Sequence, residues 1–356
     1  MPTETDTPAA LLDLGFNPAA PYAAAAPPGA RLGRVSTQHR AGYEVAVSAA
    51  EVLRGVQPPA DWLRPRFPPQ ERACVGDWVV LDAAGSNILR RLPRASVLKR
   101  AAAGEHYRQQ LIAANIDSVL VVCGLDHDFN PRRLERYLLL VRAGGAEPVI
   151  VLTKADTVVD LEPVHEALAD IAAQGIAIHA LNARDPATLG PLAPLLGPGH
   201  SLVLVGSSGA GKSTLTNSLI GREAMRTGAV RESDSRGRHT TTRRVLLQLP
   251  QGACLIDTPG MRELKLTGEE SLDAGAFGDV EAIAARCRFR DCSHQGEPGC
   301  AVHAALEDGS LDPDHLQNFF KLRGELAAAG GQQALRRAQR DEARGPGRKP
   351  GGGRRG

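Results

Sequence analysis

Aromatic residues are scarce, at seven Phe, four Tyr and two Trp in 356 residues. Rows of stacked bases on aromatic rings are therefore not the expected mode of any nucleic-acid contact, which would rest on charge instead. Long apolar runs are missing too; none approaches the roughly 20 residues that a membrane helix needs. Glu4 and Asp6 stand where a secretion signal would carry positive charge, so no membrane association and a cytoplasmic location are expected. Neither charge sign dominates, at a net +2. The balance is uneven, however: from Arg336 to Gly356 there are eight Lys or Arg against Asp341 and Glu342, a net of +6, which leaves −4 on the remainder. The six cysteines do not suggest a disulfide framework. Cys74, Cys123 and Cys254 stand singly in apolar runs, while Cys287, Cys292 and Cys300 gather around His294, which suits reduced thiols and a metal site.

What is present reads as several domains. Residues 1–30 are rich in Ala and Pro without an amphipathic period, and a flexible leader is expected, with Leu11, Leu12, Leu14 and Phe16 able to form a short docking turn. Over residues 31–100 short β-like runs alternate with turn residues, as in a small β-barrel; Gly33 to Val35, Tyr43 to Val47, Gly76 to Leu81 and Ile88 to Leu92 are its strands. Residues 101–270 alternate strand and helix, the pattern of an α/β sheet with crossover helices. Strands are expected at Asp117 to Val122, Pro148 to Leu152, Ile176 to Ala180, Ser201 to Val205, Val245 to Leu249 and Ala253 to Ile256. Helices are expected at Pro131 to Ala143, Leu161 to Gln174 and Lys212 to Ile220. Residues 271–335 are helical around the Cys/His cluster, and the basic, Gly-rich residues 336–356 read as a disordered tail.

Gly206-Ser207-Ser208-Gly209-Ala210-Gly211-Lys212-Ser213 follows an apolar run and opens a helix, the setting in which this pattern cradles phosphates. Its glycines let backbone amides turn inward and the helix N-terminus adds partial positive charge. Lys212 would bridge the β- and γ-phosphates, Ser213 would hold Mg²⁺, and Thr214 continues the nucleotide-binding run. This motif alone does not separate ATP from GTP. Upstream, Thr153-Lys154-Ala155-Asp156 ends a strand. The Asp156 carboxylate accepts only, which matches the N1–H and 2-amino group of guanine and disfavours adenine; the Lys154 stem would cover the base. Asn is usual where Thr153 stands, so a weaker tie between this loop and the phosphate loop is expected. Leu181-Asn182-Ala183 is the candidate second base-contacting loop.

Downstream, Asp257-Thr258-Pro259-Gly260 follows a strand. Asp257 would reach Mg²⁺ through water and the Gly260 amide would touch the γ-phosphate, although a plain strand-end turn has the same composition. Met261 follows, where many GTPases place a water-orienting Gln. His239, in Gly237-Arg238-His239-Thr240-Thr241-Thr242, is the candidate replacement, with a surface histidine of no catalytic role as the alternative; Thr240 and Thr241 are candidate contacts to Mg²⁺ and nucleotide. The guanine motif precedes the phosphate loop, the reverse of the ordinary order, so the domain reads as circularly permuted and everything after Gly260 hangs from the part that senses the γ-phosphate.

Cys287, Cys292, His294 and Cys300 offer three thiolates and one imidazole within fourteen positions. A closed soft set of this kind favours one structural, tetrahedral Zn²⁺. His303 is a second-choice ligand.

Together these residues resemble the bacterial ribosome small-subunit-dependent GTPase family (RsgA, also called YjeQ). The resemblance runs from about Arg31 past Cys300 and includes Gly76-Asp77, Ala114-Asn115-Ile116-Asp117, the phosphate loop, Gly237 to Thr241, and Cys287-Arg288-Phe289 through Glu297-Pro298-Gly299-Cys300. It implies an N-terminal OB-fold barrel, a circularly permuted α/β P-loop GTPase domain and a C-terminal α-helical zinc-binding domain. It further implies GTP hydrolysis to GDP stimulated by the small (30S) subunit, contact with 16S rRNA, and a role in late subunit maturation; nothing demands more than a monomer. Arg90, Arg91, Arg94, Lys99 and Arg100 are candidate rRNA phosphate contacts, with a solvated face as the alternative. Competing readings are an RNA-binding scaffold that only senses GTP and a GTPase serving another target.

Overall fold

The computed structural model describes residues 9–65, 67–101, 109–221, 244–258, 266–272 and 277–342. Two helical turns, α1 (Ala9–Leu12) and α2 (Pro21–Ala24), precede the first strand. The leader is not loose here. Leu11, Leu14, Phe16 and Tyr22 are buried with Trp78, Val80 and Leu92, and the rings of Phe16, Tyr22 and Trp78 meet at centroid distances of 5.3, 5.0 and 5.7 Å. The reason lies in Trp78-Val79-Val80-Leu81, an unbroken apolar run that is buried throughout. Val79 and Leu81 face the barrel interior. Trp78 and Val80 therefore need a cover on the opposite face, and the leader supplies it.

The barrel strands are β1 (Arg31–His39), β2 (Gly42–Ala46), β3 (Val52–Val56), β4 (Trp78–Leu81) and β5 (Ile88–Arg91). β1 pairs with both β2 and β4, β2 with β3, and β4 with β5, all antiparallel. A parallel bridge, Gln57 to Asn87, closes the circuit between the end of β3 and the start of β5. Sequence pattern missed β3, whose first four residues are exposed or half-buried and so carry no apolar alternation. A hairpin of β6 (Val97–Ala101) and β7 (Gln109–Ala114) follows; it straddles the domain boundary expected at residue 100.

The next sheet is built from β8 (Ser118–Gly124), β9 (Glu147–Thr153), β10 (Ala177–Ala180), β11 (Ser201–Val205), β12 (Val245–Gln248) and β13 (Cys254–Asp257), in the order β10-β9-β8-β11-β13-β12. All neighbours are parallel except β12 on β13. β12 also meets β1 at Thr37 and Val245, so sheet and barrel are continuous. Alternate residues segregate by face. Val119, Val121, Ile150, Leu152 and Val203 share a core with α3 (Pro131–Ala143) and the C-terminal helices. Leu120, Val122, Val149, Val151, Leu202 and Leu204 pack with α6 (Lys212–Ile220) on the other side. Between β9 and β10 the single expected helix is two, α4 (Glu162–Ala167) and α5 (Ala169–Ala173), interrupted at buried Leu168 with φ −113°.

The C-terminal part comprises α7 (Gly278–Ala284), α8 (Ala301–Glu307) and α9 (Pro313–Glu342). Helix α9 extends through residues 336–342, which composition had assigned to a disordered tail; Arg, Ala, Gln and Glu are all good helix formers, and their charge does not stop a helix already nucleated by a buried stretch. Among the described residues, no helix is long and apolar enough to cross a membrane.

Candidate nucleotide site and metal centre

Parallel pairing of β9, β8, β11 and β13 sets their carboxyl ends along one edge, the location where open α/β sheets bind ligands. The phosphate loop leaves β11 there. Gly206 has φ 144° and its missing Cβ would sit 2.1 Å from the Val122 carbonyl of β8, so no other residue fits this close approach. Gly211, at φ 92°, caps α6, and Lys212, Ser213 and Thr214 form its first turn. Ala210 is buried and Ser208, Gly209 and Ser213 are exposed. The Lys212 ammonium donates to the carbonyls of Gly206 and Ser207 at 2.7 and 2.5 Å, folded across the mouth of its own loop.

Thr153 ends β9, fully buried, and its hydroxyl donates to the Ala210 carbonyl at 2.6 Å. The tie between the two motifs, expected to suffer from the departure at this position, is therefore made by threonine. Lys154 has φ 61° and introduces a 3-10 turn, Ala155–Thr157, on which Asp156 is exposed. The Ala155 amide donates to the Leu181 carbonyl at 3.3 Å, and the Ser218 hydroxyl of α6 donates to the Ala183 carbonyl at 2.6 Å. Leu181-Asn182-Ala183 thus lies between the guanine motif and the phosphate-loop helix.

Asp257 ends β13. Burial pushes its carboxyl up to about 6, only partly offset by the Thr258 amide, and the buried Thr258 hydroxyl has no partner among the described residues. A half-buried carboxyl held this close to neutrality is suited to a cation. His239, Thr240, Thr241, Gly260 and Met261 lie outside the described residues.

Two residues that sequence reasoning missed lie on the loop between β8 and α3. The Lys154 ammonium is 2.5 Å from an Asp126 carboxylate oxygen. The Ser207 hydroxyl is 2.5 and 2.6 Å from the two oxygens of Asp128, which also pairs with Arg133 at 2.6 Å. Their signal was an Asp-His-Asp run between a strand end and the helix N-cap Asn130, a pattern too common to single out alone.

Cys287, Cys292, His294 and Cys300 bring one ligand atom each to within 4.8 Å of one another. The Sγ atoms of Cys287 and Cys300 lie 3.5 and 3.6 Å from His294 Nδ1 and 4.0 Å apart, near the edge of about 3.5 to 3.8 Å expected of a tetrahedron with metal–ligand bonds of about 2.0 to 2.3 Å. This set could hold a metal ion. His303 is not among them: its ring pairs with Glu307, while its amide donates to the Cys300 sulfur at 3.4 Å, the outer-shell contact that orients a ligand.

The helices beside this cluster dock on α3. His315 of α9 is fully buried, with Nδ1 2.8 Å from Glu135 of α3 and Nε2 3.1 Å from Asp279 of α7. Burial alone would lower its pKa, but hydrogen bonds to Asp279 and Glu135 and their charge carry it up to about 9. Arg136 and Glu325 form a two-pronged pair at 2.6 and 2.7 Å, and Arg132 bridges Glu135 and Asp312. On the barrel side Arg94, a candidate rRNA contact, is instead held by the buried Asp77 carboxylate at 2.6 Å and by the carbonyls of Gln70 and Arg72.

A phosphate loop is thus tied to an upstream guanine motif across a parallel sheet, with a Cys/His cluster beyond. The sequence model of the RsgA GTPase family matches residues 91–267. A protein named small ribosomal subunit biogenesis GTPase RsgA, from Xanthomonas campestris pv. campestris (strain B100), is 59% identical over 92% of this chain and 89% of its own length. The chain belongs to the RsgA GTPase family. An RsgA of the same description from Xanthomonas oryzae pv. oryzae (strain PXO99A) is likewise 59% identical over 92% of this chain and 89% of its own. Two solved structures share the fold. YjeQ from Thermotoga maritima matches with TM-score 0.61 and 24% identity over 83% of this chain and 98% of its own, and YloQ, described as a circularly permuted GTPase, with 0.60 and 23% over 85% and 96%. The RsgA-family core here is accordingly a circularly permuted P-loop GTPase fold.

Proposed function

We propose that this protein hydrolyses GTP to GDP and phosphate in late maturation of the small ribosomal subunit, in the cytoplasm, with hydrolysis stimulated by that subunit and 16S rRNA as part of the docking surface. The observation that carries the nucleotide reading is the Thr153 hydroxyl on the Ala210 carbonyl, which couples base recognition to phosphate binding at one sheet edge. Membership of the RsgA family supports the ribosomal assignment.

In this reading Asp156 accepts from the guanine edge and Lys154 covers the ring. The amides of Gly206 to Ser213 wrap the phosphates, and Lys212 turns from its own loop carbonyls to the β- and γ-phosphates. Ser213 and Asp257 are the residues to hold Mg²⁺, whose charge would offset that of the phosphate oxygens; Thr240, Thr241 and Gly260 complete the γ-phosphate side, and His239 orients the attacking water in place of the absent Gln. The closed circuit of β1 to β5, with its parallel bridge between the third and fifth strands, supports an OB-fold barrel. Three soft sulfurs and one nitrogen favour structural Zn²⁺ in the C-terminal helical domain.

The test is GTP hydrolysis by the purified protein alone, with isolated small subunits and with isolated large subunits. Stimulation by small subunits alone, abolished by Lys212→Ala, is expected. Tight GTP binding without stimulation by either subunit would instead support a GTP-sensing scaffold.

A further inference from the structure

The turn between β8 and α3 carries two carboxylates to a place where a polyphosphate would be repelled; Lys154 of the guanine motif neutralises Asp126 and Arg133 of α3 neutralises Asp128. Asp126 takes the Lys154 ammonium at 2.5 Å and the Asp128 amide at 3.0 Å, so its rotamer is fixed from both sides. Lys154 itself sits at φ 61°, a conformation that costs a non-glycine residue about 1 kcal/mol or more, and the Asp126 bond helps hold it there. Gly124 at the end of β8 keeps this pair together: a Cβ on it would come 2.9 Å from the Asp126 carboxylate and 3.1 Å from the Lys154 ammonium. Asp128, 8% exposed, accepts from the Ser207 hydroxyl and from the Gly124 amide at 3.2 Å while its charge is met by Arg133. The loop is in turn fixed to α3, since Asn130 caps that helix by accepting from the Arg133 amide at 2.9 Å.

We propose that the loop from Leu125 to Asn130 is a positioning element of the nucleotide site, in which Asp126 sets Lys154 over the base position and Asp128 sets Ser207 at the opening of the phosphate loop. This rests on the GTP-site reading above. Both bonds are charge-assisted, the kind that fixes geometry most strongly. They act on opposite halves of the site, so one short loop, anchored on α3, fixes the separation between the base-reading and phosphate-holding halves. Neither aspartate touches the reacting atoms.

The test is binding of fluorescent GDP and a non-hydrolysable GTP analogue to the full-length protein, with steady-state hydrolysis alongside. Asp126→Asn is expected to weaken both nucleotides about ten-fold, the loss of one such bond, raising KM while kcat at saturating GTP stays within about two-fold. Asp128→Asn and Ser207→Ala are each expected to weaken binding, and the double variant to be no weaker than the worse single one, because both remove the same contact. Asp126→Asn affinity within two-fold of the parent, or additive losses in the double variant, would overturn the proposal. So would losses that merely follow the melting temperature of the nucleotide-free variants. A parent protein that binds no guanine nucleotide would overturn the site reading itself, and the proposal with it.

Discussion

The nucleotide domain meets the barrel through Arg34 and the C-terminal helices through His315, and both side chains are fully buried. Their partners differ in kind. Arg34 donates to the carbonyls of Leu14, Gly76 and Asn115 and to the Ser201 hydroxyl at 2.5 to 3.2 Å, with its charge 5.5 Å from the Trp78 ring. Leader, barrel and nucleotide domain are thereby joined by one always-charged side chain and neutral acceptors. His315 sits between two carboxylates on separate helices, and around it Arg132, Arg136, Asp312 and Glu325 make further ion pairs. The acceptors on Arg34 are all neutral, whereas both acceptors on His315 are carboxylates and its pairing with the two of them depends on a proton. The barrel side is a fixed joint; the C-terminal side is one whose strength can be changed by charge.

That contrast can be broken most severely by removing any metal ion that the Cys287, Cys292, His294 and Cys300 set holds. Stripping it with a chelator, or replacing Cys300 by Ser, is expected to remove folding free energy on the order of 10 kcal/mol from the C-terminal helices. Hydrogen exchange should then rise across α8 and the first turns of α9 while β1 and β4 stay protected; equal loss of protection in the barrel would mean the two junctions are one cooperative unit. Arg34→Met is next in size. It strands the buried carbonyls of Leu14 and Asn115, that of Gly76 keeping the Asn115 side-chain amide, and a loss of about 3 kcal/mol or more is expected from the shift of the urea midpoint, with the same loss at pH 6.5 and pH 9. The smallest effect is the pH response of His315. Its pKa is raised from 6.5 to about 9, so its contribution is complete below about pH 6.5 and is lost as pH rises through about 9, a change of about 2 kcal/mol between about pH 7 and pH 9.5. Limited proteolysis between α8 and α9 should therefore quicken from pH 7 to pH 9.5 in the parent and be flat with pH in His315→Gln.

Much of the site could be read before the fold. The strand Ser201–Val205, the helix Lys212–Ile220 and the helix Pro131–Ala143 are where periodicity put them, because each is a short local pattern with a glycine or Pro marking its end. The meeting of the four Cys/His side chains was legible for a similar reason: thiolate and imidazole chemistry has few alternative uses at such spacing. What escaped was set by neighbours remote in sequence. The leader looked loose because its apolar residues follow the shape of the Trp78 face rather than any period of their own. Arg94 looked free because its buried partner, Asp77, is seventeen residues away.

The sequence by itself determined the chemistry on offer: a phosphate loop, a guanine motif placed ahead of it, and a metal-ligand set, each encoded in a few adjacent residues whose side chains and backbone freedom suffice for the task. Tertiary structure alone decided how those parts are held. Thr153 reaches Ala210 across 57 positions, Ser207 reaches Asp128 across 79, and His315 reaches Glu135 across 180. Pairings of that kind depend on where the sheet and α3 deliver each side chain, and no local pattern in the chain encodes such a meeting.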